Sequence, residues 1–467
     1  MPTPAPNMPV TGSLWHATLP AELEGPGRTS LPGDTDVDVA IVGGGYTGLW
    51  TAYSLAERDP TLRIVVLESE VVGFGASGRN GGWASALLPM SLTTMAAEHG
   101  RDAAVRMQRA MHAAIDEIVR VTSAEGIDCH LAKGGWFGAA RNLAQVGRLD
   151  DELAEMRAFG FTEDDVRWLG PDEARNMLSV SACHGALFTP HCAAIHPARL
   201  ARGLALAVER RGVTIHEHTR VTSIEPRRVV TEHGTVRASY VVRATEGFTP
   251  TLPGHRRRIV PIYSLMIATE PLPQSFFDDV GWADRQTFSD ARRLVIYGQR
   301  TADDRIAFGG RGAPYHFGSR VDPSFDLHTG VHEGLHHTLR EIFPALGDAA
   351  ITHRWGGPVG VPRDWQCSVG LDRGTGLGWA GGYVGDGVTT TNLAGRTLAA
   401  LIAGDDDDPI VSLPWVGHRS RSWEPEPLRW IGINAMVRLP ISADAYEERH
   451  GRPERWRSAV LSRMTGH

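Results

Sequence analysis

The chain has 467 residues, 42% of them hydrophobic and 22% charged, and a formal charge of −7. That length suits two or three domains with interior enough to hide a large cofactor. The acidic balance gives no basic surplus of the kind that nucleic acid or an anionic membrane selects, and no run approaches the roughly 18 apolar residues of a membrane span, so neither is expected as a partner.

Residues 1–35 carry Pro, Gly and isolated apolar residues, and read as an irregular arm across the surface, pinned by Trp15. Met1 to Gly12 lacks a basic segment followed by an apolar one, so it is not read as a signal peptide, and a cytoplasmic protein is expected. Val37 to Val42 is an apolar run broken by Asp38, as in a parallel strand buried on both faces. Gly43, Gly45 and Gly48 follow at the spacing G-x-G-x-x-G, which permits a tight turn, close approach to a pyrophosphate, and tight packing of helix on strand. Leu49, Ala52, Tyr53, Leu55 and Ala56 then recur at helical spacing, so the helix N-terminus aims its free N–H groups at the turn. A second strand, Ile64 to Leu67, ends at Glu68, placed to accept hydrogen bonds from a ribose. The unit predicts a dinucleotide site.

Gly73 to Trp83 is a second close-approach loop, too rich in small residues to fill a core. Ala103 to Val121 and Leu149 to Phe159 show helical periodicity within an inserted region, with a strand expected at Trp136 to Ala140. Pro197 opens a helix, and short strands follow at Val213 to His216, Arg220 to Ile224 and Tyr240 to Thr245. Ile259 to Thr269, Arg293 to Tyr297 and Arg305 to Phe308 read as an antiparallel domain, followed by a helix at about 327–342. Gly376 to Val388 is a third glycine turn ahead of a helix. The run Asp405 to Asp408 reads as a solvated turn, and no metal is assigned. Cys129, Cys183, Cys192 and Cys367 show no C-x-x-C spacing and are expected as free thiols.

Three glycine turns suit a cofactor with a pyrophosphate and a flat redox ring, which is the shape of FAD. On Ile41 to Leu49, Gly75 to Gly82, Ala244 to Gly247 and Gly381 to Val388, the chain resembles the glycine/D-amino-acid oxidase family of FAD-dependent oxidoreductases, and within it the γ-glutamylputrescine oxidoreductase branch. The resemblance implies a discontinuous Rossmann-like α/β FAD domain (36–88, 193–250 and 355–410) and an α+β substrate domain with an antiparallel sheet (89–192 and 251–354). Residues 1–35 form the arm and 411–467 a C-terminal extension. The implied FAD contacts are Gly43, Gly45, Tyr46, Thr47, Gly48, Glu68, Ser77, Gly78, Arg79, Asn80, Gly81, Gly82, Val221, Thr245, Gly247, Tyr383, Gly385, Asp386, Gly387 and Val388. Glu68 would hold the ribose, the backbone of Val221 the adenine, and Arg79 to Gly82 the isoalloxazine. The helix after Gly387 would face flavin N1 and O2.

Family members that attach FAD covalently use a Cys or His. The matching places here, near Trp355-Gly356 and within Ser77 to Asn80, offer neither, so non-covalent FAD is expected. The lysine that sarcosine oxidases place over the flavin is also missing from Arg305 to Gly309. The implied reaction is oxidation of a small-molecule amine or amino acid to an imine, with O2 or another acceptor taking the electrons. A nicotinamide dehydrogenase and a non-catalytic FAD-binding subunit are the rival readings. Pocket candidates are Trp83, Trp136, His191, Tyr263, Arg311, Tyr315, His316 and Trp355, with no catalytic base singled out.

Overall fold

The computed structural model describes residues 12–24, 27–454 and 456; the rest of the N-terminal arm and the end of the C-terminal extension lie outside the described residues. Two large sheets organise the chain. In the first, parallel strands Leu377–Gly381, Thr235–Arg243, Thr35–Val42, Ile64–Leu67 and Thr214–His216 lie in that order, and Ser368–Asp372 runs antiparallel at one edge. Thr35–Val42 sits between Ile64–Leu67 and Thr235–Arg243. The chain order therefore reverses beside Val42, the switch point at which such sheets bind ligands. Helices Tyr46–Arg58, Pro197–Arg210 and Gly387–Ala403 bury their apolar residues on this sheet.

The second sheet has the order Ile351–Pro362, Ile259–Thr269, Ile306–Gly310, Ile296–Arg300, Thr287–Asp290, Trp136–Ala139, Ala186–Thr189, Arg167–Leu169. It is antiparallel except for the pair Thr287–Asp290 and Trp136–Ala139. Side chains alternate across it. Tyr263, Leu265, Ile267, Ile306 and Phe308 join a core with helix Thr329–Ile342, whereas Met266, Ala268, Ala307 and Trp355 pack on Leu14, Trp15 and Ala198, toward the first sheet. A two-stranded ladder, Trp83–Ser85 with Cys192–Ala194, stands beside the junction.

Two expected boundaries move. Trp355 to Pro362, assigned to the nucleotide domain, belongs to the long strand Ile351–Pro362 that pairs along Ile259–Thr269 in the second sheet. Helix Arg101–Ala124, expected in the substrate domain, buries Ala104, Met107, Met111, Ile115 and Ile118 in the core beneath the first sheet. The arm also differs, since its short helices Leu14–Ala17 and Ala21–Glu24 are not irregular, and Trp15 is buried. The acidic run is a surface turn: Asp405 and Asp408 pair with Arg58, and Asp406 with Arg373.

Candidate cofactor and substrate site

The glycine turn after Val42 is built as its spacing predicts. Gly43 has φ +113°, and a Cβ on it would lie 2.5 Å from the Ala244 carbonyl oxygen; a side chain on Gly48 would run into the Gly43 carbonyl. Glu68 Oε2 accepts from the Gly44 N–H at 2.7 Å, and Oε1 from the Glu70 N–H at 3.0 Å, which fixes the carboxylate beside the turn. Burial raises its pKa. Val221 pairs with Thr231 and packs against the core cluster to which Val42 and Leu67 belong.

The other motif segments close on this turn. Ser77 Oγ accepts from the Tyr46 N–H at 2.8 Å, so the second glycine loop caps the first helical turn. Thr47 Oγ1 lies 3.0 Å from Tyr383 Oη, joining that helix to the third glycine turn. Glu246 accepts from the N–H groups of Gly360, Gly382 and Tyr383 at 2.6, 3.0 and 3.0 Å. Burial pushes its pKa up to about 7 against the pull of these three bonds. Thr245 bonds Thr249, and Gly247 lies against the Pro358 carbonyl. The Tyr46 hydroxyl is buried and donates to Pro197 O, so only its backbone faces the turn's chemistry.

The loop Arg79 to Gly82 reaches the second sheet. Arg79 Nη1 pairs with Asp326 at 2.5 Å, and its guanidinium lies over Phe74. Gly81 is so close to Tyr297 that a Cβ would fall 2.6 Å from the ring, and Asn80 is held within the loop through Ala76 O and Ser77 O. Tyr297 Oη lies 2.8 Å from Ser264 Oγ, and its ring meets Trp83 edge-on at 5.9 Å. Arg311 donates through Nη2 to the Val384 carbonyl. Val384, at φ +56°, is a β-branched residue in left-handed backbone. It is held between Gly385 and Gly382 in the third turn, which leads through Asp386 and Gly387 to Val388 in the following helix. Burial raises the Asp386 pKa to about 6, and the Arg311 charge pulls it back. The site thus joins Trp83, Ser264, Tyr297, Arg311 and Asp386 where the three glycine turns meet the second sheet.

The remaining pocket candidates divide. Trp355 donates to Arg79 O at 2.9 Å and so supports the loop. Trp136 packs beside Trp83 and donates to Ser289 Oγ. Tyr263 points to the opposite face of its strand from Ser264, into the core, and His316 stacks on Phe325 next to it. Tyr315 is buried behind Val384, with its hydroxyl bonded to Glu426 of the C-terminal extension. His191 stacks on His112 at 3.6 Å with Asp165 Oδ1 3.4 Å from its Nε2. His112, Asp165 and His191 have ligand-type atoms within 4.8 Å of one another. Parallel stacked imidazoles hold their lone pairs in parallel planes, so they do not converge on one ion, and this cluster is a carboxylate-capped stack. Tyr297, Ser264, Gln299, Asp326 and Glu246 were not expected. Alternation of polar with small residues in Tyr297-Gly298-Gln299 was the available signal.

The site fits FAD: the first turn presents backbone with no side chain at Gly43, Gly44 and Gly45, and a carboxylate, Glu68, stands beside it. Residues 38–401 match the profile of the family described as FAD dependent oxidoreductase. The chain is 33% identical over 386 residues to the γ-glutamylputrescine oxidoreductase of Escherichia coli K12, covering 81% of this chain and 86% of that one. It is 25% identical over 386 residues to the glycine oxidase of Geobacillus kaustophilus, covering 78% and 92%. Among solved structures, glycine oxidase from Geobacillus kaustophilus matches the fold with a TM-score of 0.66 at 23% identity (79% and 95% covered). The L-proline dehydrogenase from P. horikoshii matches at 0.68 and 19% (82% and 98%). With its glycine turns assembled at one switch point and the family profile spanning most of its length, the chain belongs to the DAO family of FAD-dependent oxidoreductases.

Proposed function

We propose that the protein oxidises a primary or secondary amine, or an amino acid, to an imine that water hydrolyses to an aldehyde or keto product, with electrons passing to O2 to give H2O2. The observation that carries this reading is the placement of Trp83, Tyr297 and Ser264 together beside Gly81, with Arg311 and Asp386 near enough to Tyr297 to act on its charge. A relative named for γ-glutamylputrescine, an amine, supports the substrate class. Bound FAD supplies the acceptor for the hydride that leaves the substrate's α-carbon.

The chain's own part is to hold and orient. Glu68 would take the ribose diol, the bare backbone of the first glycine turn would lie against the pyrophosphate, and Arg79 to Gly82 would line the isoalloxazine. The positive end of helix Gly387–Ala403 would face the flavin edge where negative charge collects on reduction. Tyr297, half-buried and with its pKa raised by desolvation, stays a neutral phenol bonded to Ser264 and walls the site with Trp83. Arg311 spends Nη2 on Val384 O, and its other N–H groups meet an acidic group at the far end of the substrate. An amine lone pair expels hydride with no protein base once the ammonium is deprotonated, which accords with a site whose titratable groups are Arg311, Asp386 and Tyr297.

A second reading, a dehydrogenase with another acceptor, is favoured by one observation. The site face of strand Ile306–Gly310 presents Ala307 and Gly309, with no lysine to attract oxygen's developing charge. Measuring H2O2 release against oxygen consumed during amine turnover separates the two: stoichiometric H2O2 supports the oxidase, and turnover with dye acceptors alone supports the dehydrogenase.

A further inference from the structure

Four consecutive carbonyls of the loop that lines the isoalloxazine in the reading above are each taken by a buried side-chain donor. Trp355 Nε1 donates to Arg79 O at 2.9 Å and Trp15 Nε1 to Asn80 O at 2.8 Å. Gln299 Nε2 shares its two hydrogens among Gly81 O at 2.9 Å, Ile195 O at 3.0 Å and Gly82 O at 3.2 Å. Of the loop's N–H groups, those of Arg79 and Asn80 bond Ala76 O, and that of Gly82 bonds Asn80 Oδ1. The Gly81 N–H donates to no acceptor among the described residues.

The Gly81 N–H and the Asn80 carbonyl belong to one planar trans peptide, so they point in opposite directions. Fixing the carbonyl on Trp15 therefore aims the N–H the other way. Trp15 is itself held firmly. It is 1% exposed and meets His196 edge-on at 5.1 Å and Trp355 at 6.2 Å, while the neighbouring Thr18 Oγ1 lies 3.0 Å from His196 Nε2. The residue lies ahead of the family-matched segment, which begins at residue 38.

We propose that Trp15 is a positioning residue of the cofactor site: it orients the Asn80–Gly81 peptide so that the Gly81 N–H is presented as a hydrogen-bond donor to an acceptor atom of the bound isoalloxazine. The N-terminal arm is then a working part of the flavin site. The proposal rests on the reading that Arg79 to Gly82 line the ring. Because a donor to the ring favours the form carrying more negative charge, loss of its aim lowers the preference for reduced flavin.

The test uses the purified holoprotein and Trp15→Phe, which keeps an aromatic ring but deletes the indole N–H. The expected result is a midpoint potential lowered by the equivalent of about tenfold in the reduction equilibrium, ~30 mV for a two-electron couple, with a shifted flavin absorption band. An unchanged potential and spectrum in folded Trp15→Phe overturns the proposal. Gly81→Ala, whose Cβ presses on Tyr297, keeps the failures apart. If it leaves the flavin spectrum untouched, the loop does not line the ring; if it perturbs the spectrum and Trp15→Phe does not, only the role of Trp15 fails. Should Trp15→Phe not fold, hydrogen exchange on the unaltered protein decides. The Gly81 amide is expected to gain at least tenfold protection when FAD binds, and equal exchange with and without FAD contradicts the proposal.

Discussion

Glu246 and Tyr383 stand 137 positions apart in sequence, and the carboxylate of the first accepts the backbone N–H of the second at 3.0 Å. The same carboxylate holds Gly382 and, through its other oxygen, Gly360. One side chain thereby ties the end of strand Thr235–Arg243 to the third glycine turn and to the second sheet.

Glu246→Gln therefore has a defined cost. An amide keeps one acceptor and turns an NH2 group toward backbone N–H groups, leaving at least one buried donor unpaired, at about 1–3 kcal/mol for each. Thermal unfolding should show a lowered Tm, and the purified variant should carry less flavin per chain. An unchanged Tm with full flavin content would show that the three bonds contribute little.

The histidine at the arm gives a pH prediction. His196 Nδ1 accepts from the Arg199 N–H as the cap of helix Pro197–Arg210, and Nε2 meets Thr18 Oγ1, whose own proton goes to Leu14 O. Protonation of Nδ1 would break the cap and place a cation at the positive end of the helix. Burial holds its pKa down at about 3, from 6.5. A depressed pKa in the folded state makes this contribution complete above pH 6.5 and progressively lost below it, because the unfolded chain takes up a proton that the folded chain refuses until about pH 3. The loss reaches roughly 2 kcal/mol by pH 5. His196→Asn keeps a capping side chain without the titration. The stability gap between parent and variant should narrow as pH falls from 7 to 5; a gap independent of pH contradicts the assignment.

Much of the nucleotide half was legible in the sequence, because each feature has a local cause. The run Val39 to Val42, the three glycines and the acid after Leu67 fix turn, helix and partner strand within about thirty residues of one another. Partners set by tertiary packing were not legible. The stripe Ala104, Met107, Met111, Ile115 and Ile118 predicts a helix, but nothing in it says that the helix packs under the first sheet. In Ile259–Thr269 both Tyr263 and Ser264 are plausible pocket residues. A shift of one residue exchanges the faces, and the structure gives the site Ser264. Tyr297 was expected at the end of a strand that in fact begins at Ile296, so Gln299, two residues further along the same strand, went unread.

Arg311→Ala should raise the half-saturating concentration of acid-bearing amines about tenfold or more, the order of one lost charge-assisted bond, and slow flavin reduction at saturation much less. Removing the guanidinium also removes the charge that offsets burial at Asp386, so the Asp386 pKa should rise from about 6. A pH titration of the flavin absorption band should show that upward shift. Equal losses in affinity and in limiting rate would place Arg311 on the reacting centre instead.

FAD should leave the protein on acid denaturation. The places near Trp355-Gly356 and in Ser77 to Asn80 hold no Cys or His. Cys367 is buried, and its thiol is pushed up to about 12 by burial, far from the thiolate that attachment needs. Yellow colour retained in a washed acid precipitate would contradict this.

The central claim is that the electron donor is an amine. Anaerobic stopped-flow mixing of the holoprotein with a panel of primary and secondary amines, amino acids and 2-hydroxy acids tests it most directly, with flavin bleaching near 450 nm, a generic flavin property, as the signal. An alcohol needs its proton taken as hydride leaves, whereas an amine lone pair needs no base once deprotonated. The account predicts bleaching by one or more amines, at a rate that rises with pH as the substrate ammonium deprotonates. Rapid bleaching by a 2-hydroxy acid and none by any amine would contradict it, even with the fold and the cofactor as described.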